Sequence, residues 1–103
     1  MKVEFFTDTI HKDVSNFDLE TQDHVAHLMD LLEVYGAAIR MPYSKSLGDG
    51  VFELRALGKT HVRLLYCFYR GSAIILHIFA KKQNKASNND ILIAKNRKKQ
   101  LLA

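Results

Sequence analysis

Apolar residues recur with a helical period in the first third of the chain and alternate with a two-residue period after position 50. Residues 2–6 predict a strand, and residues 8–16 predict a short helix that begins near Asp8. Asp18 is placed to cap a longer second helix, and Gly36 is placed to end it in a left-handed conformation. The second helix carries a core-facing stripe of four residues, Val25, Leu28, Leu32 and Tyr35.

Three strands are predicted in the second half of the chain, after a connection over residues 37–50. Residues 51–55 and 62–69 alternate between apolar and more polar positions, as strands with one buried face do. Residues 73–80 are apolar on both faces, which is typical of an interior strand. Short turns separate the three strands, so we expect them to pair antiparallel.

The last segment predicts a helix after Ser87, because Ser87 precedes Asp90 by three residues in a variant of the capping box. The order of elements is therefore strand, helix, helix, three antiparallel strands and helix. This order predicts a single α+β domain over residues 1–103. In that domain the two N-terminal helices cover one face of a small antiparallel sheet.

The composition fits a globular protein, with 48% hydrophobic and 25% charged residues in a chain of 103. No apolar run approaches the ~20 residues that a membrane-spanning helix needs, so no membrane association is predicted. Cys67 is the single cysteine, which excludes an internal disulfide and fits a reducing cytoplasm. His24 and His27 lie three residues apart on a helix without a third ligand in view, so we predict no metal site and no cofactor.

Charge is divided unevenly along the chain. Residues 1–35 hold two basic and eight acidic residues, whereas residues 36–103 hold thirteen basic and three acidic ones. A basic C-terminal two-thirds favours a polyanionic partner, most simply a nucleic acid. The alternative interpretation is a charge distribution that serves solubility alone.

Strand alternation assigns the basic residues to faces of the predicted sheet. The face that the N-terminal helices are expected to cover carries Phe52, Leu54, Val62, Leu64 and Tyr66. Arg55 and Arg63 therefore point to the opposite face. On the third strand, one parity is shared by Ala73, Ile75, His77, Phe79 and Lys81. Because adjacent strands lie ~4.8 Å apart, we expect His77 and Lys81 to join the two arginines on one cationic surface that fits phosphate.

Each of these residues also has a purely structural interpretation. Arg55 can be a solvated strand residue paired with a nearby acid, and Arg63 can cover apolar surface with its stem. Lys81 and Lys82 can prevent edge-to-edge pairing at the end of a strand. His77 lies in an apolar run, where a histidine is often a hydrogen-bonded core residue.

Residues 47–87 read LGDGVFELRALGKTHVRLLYCFYRGSAIILHIFAKKQNKAS. The informative positions are Leu47, Asp49-Gly50, Glu53-Leu54-Arg55, Arg63 with Tyr66, and His77, Phe79 and Lys81-Lys82. In this order and spacing the chain resembles the RelE/ParE toxin superfamily, and more closely its phage-derived branch of HigB-like toxins. Ala86-Ser87 departs from the Thr-Pro with which that branch usually begins its last helix, and a serine cap can replace that start signal.

The resemblance implies a RelE-like fold and the function of a toxin in a type II toxin–antitoxin pair. Most such toxins cleave messenger RNA, usually on the ribosome, by attack of a ribose 2′-hydroxyl on the adjacent phosphorus without a metal. That reaction needs positive charge at the phosphorus, a base and an acid. We predict Arg55 and Arg63 as phosphate stabilisers and His77 or Lys81 for proton transfer. Further RNA contacts are predicted at Lys59, Lys82 and Lys85.

The implied partners are messenger RNA, the ribosome and a cognate antitoxin of the helix-turn-helix type. The antitoxin can cover the cationic surface or bind the acidic helices, which expose Asp23, Asp30 and Glu33. Two other functions stay open: a ParE-like poison of DNA gyrase without nuclease activity, and a nucleic-acid-binding module without catalysis. The basic cluster beside His77 favours RNA cleavage, while the lack of an evident acid–base pair in the sequence counts against it.

Overall fold

The computed structural model describes residues 1–39, 43–55, 62–80 and 87–103. In chain order the elements are β1 (Lys2–Phe5), α1 (Asp8–Val14), α2 (Leu19–Tyr35), a 3-10 turn (Gly36–Ala38), β2 (Ser44–Gly48), β3 (Val51–Arg55), β4 (Val62–Tyr69), β5 (Ser72–Ala80) and α3 (Asn88–Leu102). This is the predicted α+β order with one additional strand. None of the described helices combines the length and apolar character needed to cross a membrane.

Side-chain caps fix the start of each helix. The Oγ1 of Thr7 accepts a hydrogen bond from the backbone N–H of Ile10, so α1 begins one residue after Thr7. The backbone N–H of Thr21 donates to the predicted cap Asp18 at 2.9 Å. At the third helix, Ser87 Oγ accepts from the backbone N–H of Asp90 at 3.1 Å, which confirms the predicted capping motif.

The predicted core stripe of α2 is correct at three of its four positions. Val25, Leu28 and Leu32 are at most 1% exposed, whereas Tyr35 is 56% exposed. Tyr35 is the last residue of the helix, and its side chain points into solvent beyond the packed stripe. Gly36 was predicted to adopt a left-handed conformation. Its φ is positive, at 51°, but its ψ of −130° lies outside the left-handed helical region.

The sheet has five strands in the order β1-β5-β4-β3-β2. Strands β3, β4 and β5 pair antiparallel, as predicted, and β1 adds to β5 in parallel. The interpretation of residues 37–50 as a mere connection is wrong, because β2 lies in that segment and pairs antiparallel with β3. Its sequence Ser-Lys-Ser-Leu-Gly is short and polar, so an edge strand of this kind has no hydrophobic pattern that would reveal it.

Helices cover both faces of the sheet. On the α1/α2 face the buried apolar residues are Ile10, Val25, Leu28, Leu32, Leu54, Val62, Leu64, Tyr66, Ala73 and Ile75. On the α3 face they are Val51, Leu65, Cys67, Ile74, Leu76 and Ala94. The predicted assignment of β3 and β4 residues to the two faces is confirmed. The C-terminal helix was not assigned to a face by the sequence, and it packs on the side to which Arg55 and Arg63 point.

A bulge in β5 changes the predicted parity of that strand. Leu65 pairs with His77 while Tyr66 pairs with Ile75, so Leu76 is an extra residue on β5. The backbone carbonyl of Leu76 accepts a hydrogen bond from Arg97 of α3 at 2.6 Å. The prediction that His77 shares a face with Ile75 is therefore wrong, because the extra residue turns His77 to the α3 face.

Candidate active site

Three predicted site residues, Arg55, Arg63 and His77, lie together on the α3 face, close to the ends of β3, β4 and β5. Arg55, Arg63 and Phe79 lie directly opposite one another across the three strands. The next row on the same face of the sheet consists of Glu53, Leu65 and His77. The sheet therefore brings both predicted arginines and the predicted histidine to one surface. The other predicted site residues, Lys59, Lys81, Lys82 and Lys85, lie outside the described residues.

Arg63 is buried, although the sequence predicted an open cationic surface at this place. The residue is 8% exposed, and its Nη1 donates to the backbone carbonyl of Val62 at 3.1 Å. Its Nε lies 3.8 Å from Glu53 Oε1. Burial lowers the pKa of Arg63, as does the charge of Arg55, while the carboxylate of Glu53 opposes this shift. Arg55, the other arginine of this row, is partly exposed and is therefore more accessible to solvent than Arg63.

The environment of Glu53 differs from the one that strand alternation predicts. Alternation places Glu53 on the polar face with Arg55, yet Glu53 is 1% exposed. This face is covered by α3, whose Ala94 belongs to the same buried cluster as Leu65, the residue opposite Glu53. Sequence reasoning missed Glu53 as a site residue, because a glutamate on an alternating strand is most simply a solvated one.

His77 takes part in a hydrogen-bonded chain with the first turn of α3. Its Nε2 lies 2.9 Å from Asp90 Oδ1, and Ser87 Oγ donates to Asp90 Oδ2 at 2.6 Å. The imidazole also stacks on Phe79, with ring centroids 5.2 Å apart. A neutral imidazole that donates its Nε2 proton to a carboxylate keeps Nδ1 as an acceptor. The side chain of His77 is 17% exposed, so the ring is oriented by the protein and still reaches the surface.

Asp90 is a second functional candidate that sequence reasoning missed, since its spacing from Ser87 indicated only a capping motif at the start of α3. Burial raises the pKa of its carboxyl group, but hydrogen bonds from Ser87 and His77 together outweigh this and lower the pKa below its ordinary value. Asp90 therefore has two contacts of interest: it lies in the first turn of α3, hydrogen-bonded to the cap Ser87, and its carboxylate also contacts His77. No pattern in the sequence joins His77 to a residue thirteen positions later.

The shifted carboxyl group predicts a pH dependence of stability. In the unfolded chain the pKa of Asp90 has its ordinary value of 3.8, so the unfolded chain binds a proton there more readily than the folded chain does. The free energy of unfolding therefore decreases as the pH is lowered through this range. We expect Asp90→Asn to make this fall shallower between about pH 5 and pH 2 in urea unfolding experiments. Asp23→Asn, at an exposed position of α2, is the control. Equal slopes for Asp90→Asn and the native chain would contradict the role given to Asp90.

Other nucleophiles and ligands in the described residues do not form a competing site. Cys67 is buried, and burial raises the pKa of its thiol, which disfavours the reactive thiolate. Tyr66 lies on the α1/α2 face, where its hydroxyl is 2.7 Å from Ser44 Oγ and burial raises its pKa. Within the described ranges, no group of three or more histidine, cysteine, aspartate or glutamate side chains could hold a metal ion.

Comparison with known proteins places the chain in a family. The model of the family described as "Phage derived protein Gp49-like (DUF891)" matches residues 12–99. The chain belongs to this Gp49-like family. Every described residue of the site, from Glu53 to Asp90, lies inside the matched part of the Gp49-like domain. No curated protein matches the sequence at a significant level.

The fold of this Gp49-like protein is similar to that of a solved toxin–antitoxin structure. A chain of the toxin–antitoxin complex RelBE2 from Mycobacterium tuberculosis matches with a TM-score of 0.52 and 21% sequence identity. The match covers 80% of the Gp49-like chain and 92% of the other chain. This similarity confirms the RelE-like fold that the sequence predicts.

Proposed function

We propose that this protein is the toxin of a type II toxin–antitoxin pair and that it cleaves messenger RNA on the ribosome without a metal. The observation that carries the proposal is the His77–Asp90 pair beside the row of Arg55 and Arg63. This pair provides the acid–base group that was not evident in the sequence. It lies next to the positive charge that would stabilise a phosphate. Membership of a phage-derived family and the fold shared with a chain of a toxin–antitoxin complex support the same function.

In the proposed reaction the ribose 2′-oxygen attacks the adjacent phosphorus while the bond from phosphorus to the 5′-oxygen breaks. His77 accepts the proton of the 2′-hydroxyl, and the carboxylate of Asp90 stabilises the imidazolium that forms. Arg55 and Arg63 stabilise the negative charge that develops on the phosphorane oxygens. Lys81, at the start of the segment after β5, is the candidate acid for the leaving 5′-oxygen. The products are a 2′,3′-cyclic phosphate and a 5′-hydroxyl.

The proposed partners follow from the same function. Lys59, Lys82 and Lys85 belong to segments next to the strand ends that carry the site, and we assign them contacts with the RNA backbone. A helix-turn-helix antitoxin encoded with the toxin would neutralise it in the cytoplasm. The RelBE2 structure is a complex of toxin and antitoxin, which supports an antitoxin partner. Asp23, Asp30 and Glu33 are exposed on α2, on the opposite side of the sheet from His77, and they offer a second surface for it.

Mapping of messenger RNA ends after expression of the protein tests this function. We expect primer extension to show new 5′ ends within translated transcripts and cell growth to stop. Arg55→Ala is expected to weaken both effects by about 100-fold, because a partly exposed guanidinium next to the phosphate is lost. Lys12→Ala on α1 removes one charge on the other side of the sheet and is expected to change neither effect.

A different result would support the alternative function. If transcripts stay intact while the DNA-damage response rises, the protein acts on DNA gyrase or a similar target, and the nuclease proposal fails. Growth arrest that persists unchanged in a folded Arg55→Ala variant would contradict the proposed phosphate site even if transcripts are cleaved.

A further inference from the structure

A buried carboxylate lies next to the two arginines of the proposed phosphate site. Neither carboxylate oxygen of Glu53 accepts a hydrogen bond within the described residues, and the residue is 1% exposed. The Nε of Arg63, 3.8 Å away, is likewise without an acceptor in that part of the chain. Buried charges in folded proteins are normally both paired and hydrogen-bonded, so an ion pair this loose calls for an explanation.

Strand register explains why a negative charge is placed here. Arg55 and Arg63 lie directly opposite each other on β3 and β4, and like charges in such a cross-strand pair repel. Glu53 lies opposite Leu65, one row back, and is therefore a diagonal neighbour of Arg63. Its carboxylate offsets the repulsion between the two guanidinium groups, so both can occupy one row of the sheet.

The length of the contact matters for what Arg63 can still bind. The guanidinium carries five N–H donors, of which one on Nη1 is bound to the carbonyl of Val62. A bidentate salt bridge with Glu53 would consume two more donors and satisfy the charge of Arg63. At 3.8 Å the carboxylate attracts the guanidinium without a hydrogen bond, so Glu53 does not occupy any of the remaining donors of Arg63.

We propose that Glu53 is a positioning residue, whose carboxylate holds Arg63 in the orientation in which Arg63 and Arg55 together receive the charge of the phosphorane. The inference rests on the proposed function, because it assumes that the arginines bind an RNA phosphate. It differs from a packing role, since the shape of the side chain is secondary and its charge is what acts. Glu53→Gln keeps the shape and removes the charge.

The test compares binding with cleavage in purified protein acting on programmed ribosomes. The probes are a messenger RNA and its analogue with a 2′-deoxyribose at the scissile nucleotide, which binds but cannot react. We expect Glu53→Gln to lower the single-turnover cleavage rate about 10- to 100-fold, because Arg63 loses its orientation. The Kd for the analogue is expected to change by less than about 3-fold, because ground-state binding is distributed over many contacts. Glu20→Gln, at an exposed position on α2, is expected to match the native protein in both assays.

A second background shows whether Glu53 acts through Arg63. In an Arg63→Lys variant the guanidinium fork is already lost, so adding Glu53→Gln is expected to lower the rate by less than about 3-fold further. A full 10-fold additional loss in that background would overturn the inference, as would a native cleavage rate in folded Glu53→Gln. A loss of rate with an equal rise in Kd would also overturn it. If the native protein does not cleave the RNA at all, the proposed function fails and the inference fails with it.

Discussion

Replacing His77 with alanine is expected to lower the rate of RNA cleavage by about 100- to 10,000-fold, the range typical of losing a general base. The reason is geometric: the bulge in β5 turns His77 to the face of the sheet that carries Arg55 and Arg63, and Asp90 holds its imidazole at 2.9 Å. The rate is measured with RNA in single-turnover conditions. The affinity for an uncleavable RNA analogue is expected to stay close to that of the native protein.

Two further variants separate the chemistry of His77 from its contribution to the fold. His77→Gln keeps a donor toward Asp90 but cannot accept the 2′-hydroxyl proton with a useful pKa, so it is expected to be as inactive as His77→Ala. His27→Ala removes an exposed histidine on α2 and serves as the matched control. A folded His77→Gln variant within about 3-fold of the native rate would show that another group takes the proton.

Replacing Arg63 with alanine is expected to lower the free energy of unfolding by about 3–5 kcal/mol, the usual cost of breaking a buried ion pair by removing one partner. The cost arises at Glu53, which is 1% exposed and would lose the guanidinium that neighbours its carboxylate. Urea unfolding measures the effect. Arg55→Ala, the matched arginine directly across the strand pair, is expected to cost less because Arg55 is partly exposed.

The double variant Arg63→Ala/Glu53→Gln tests the cause of that instability. Removing the second charge is expected to restore part of the lost stability, because no charge is then left unpaired in the core. A loss below about 1 kcal/mol for Arg63→Ala alone would mean that water or another group reaches Glu53. This result also bears on function: inactivity of Arg63→Ala by itself does not demonstrate a phosphate contact, whereas inactivity of Arg55→Ala is a cleaner sign.

Most elements of the fold were predictable from the periodicity of apolar residues. The apolar stripe of α2 and the alternation of β3 and β4 each reflect one buried and one less buried face, and that physical requirement is local in sequence. For the same reason the caps at Asp18 and Ser87 were predictable, since a cap and the N–H group it satisfies lie within three residues. The additional strand β2 was missed because it is polar and short.

The site was predicted less completely, for reasons that are not local. Arg55 and Arg63 were assigned to one face correctly, because alternation in β3 and β4 is regular. His77 reaches that face through the extra residue Leu76, and a bulge leaves no mark in an apolar run that is buried on both sides. The contact of Asp90 with His77 and the burial of Glu53 depend on tertiary packing, including the position of α3 on the sheet. The periodicity of the sequence does not reveal that packing.

The chemical nature of the RNA ends tests the central claim most directly. Purified protein is incubated with RNA on programmed ribosomes, and the ends at each cleavage site are examined by phosphatase- and kinase-dependent labelling. Attack by the ribose 2′-hydroxyl, with His77 as the base, predicts 2′,3′-cyclic phosphate on one fragment and 5′-hydroxyl on the other, and neither from His77→Gln. Ends that carry 5′-phosphate, or equal cleavage by His77→Gln, would contradict the account.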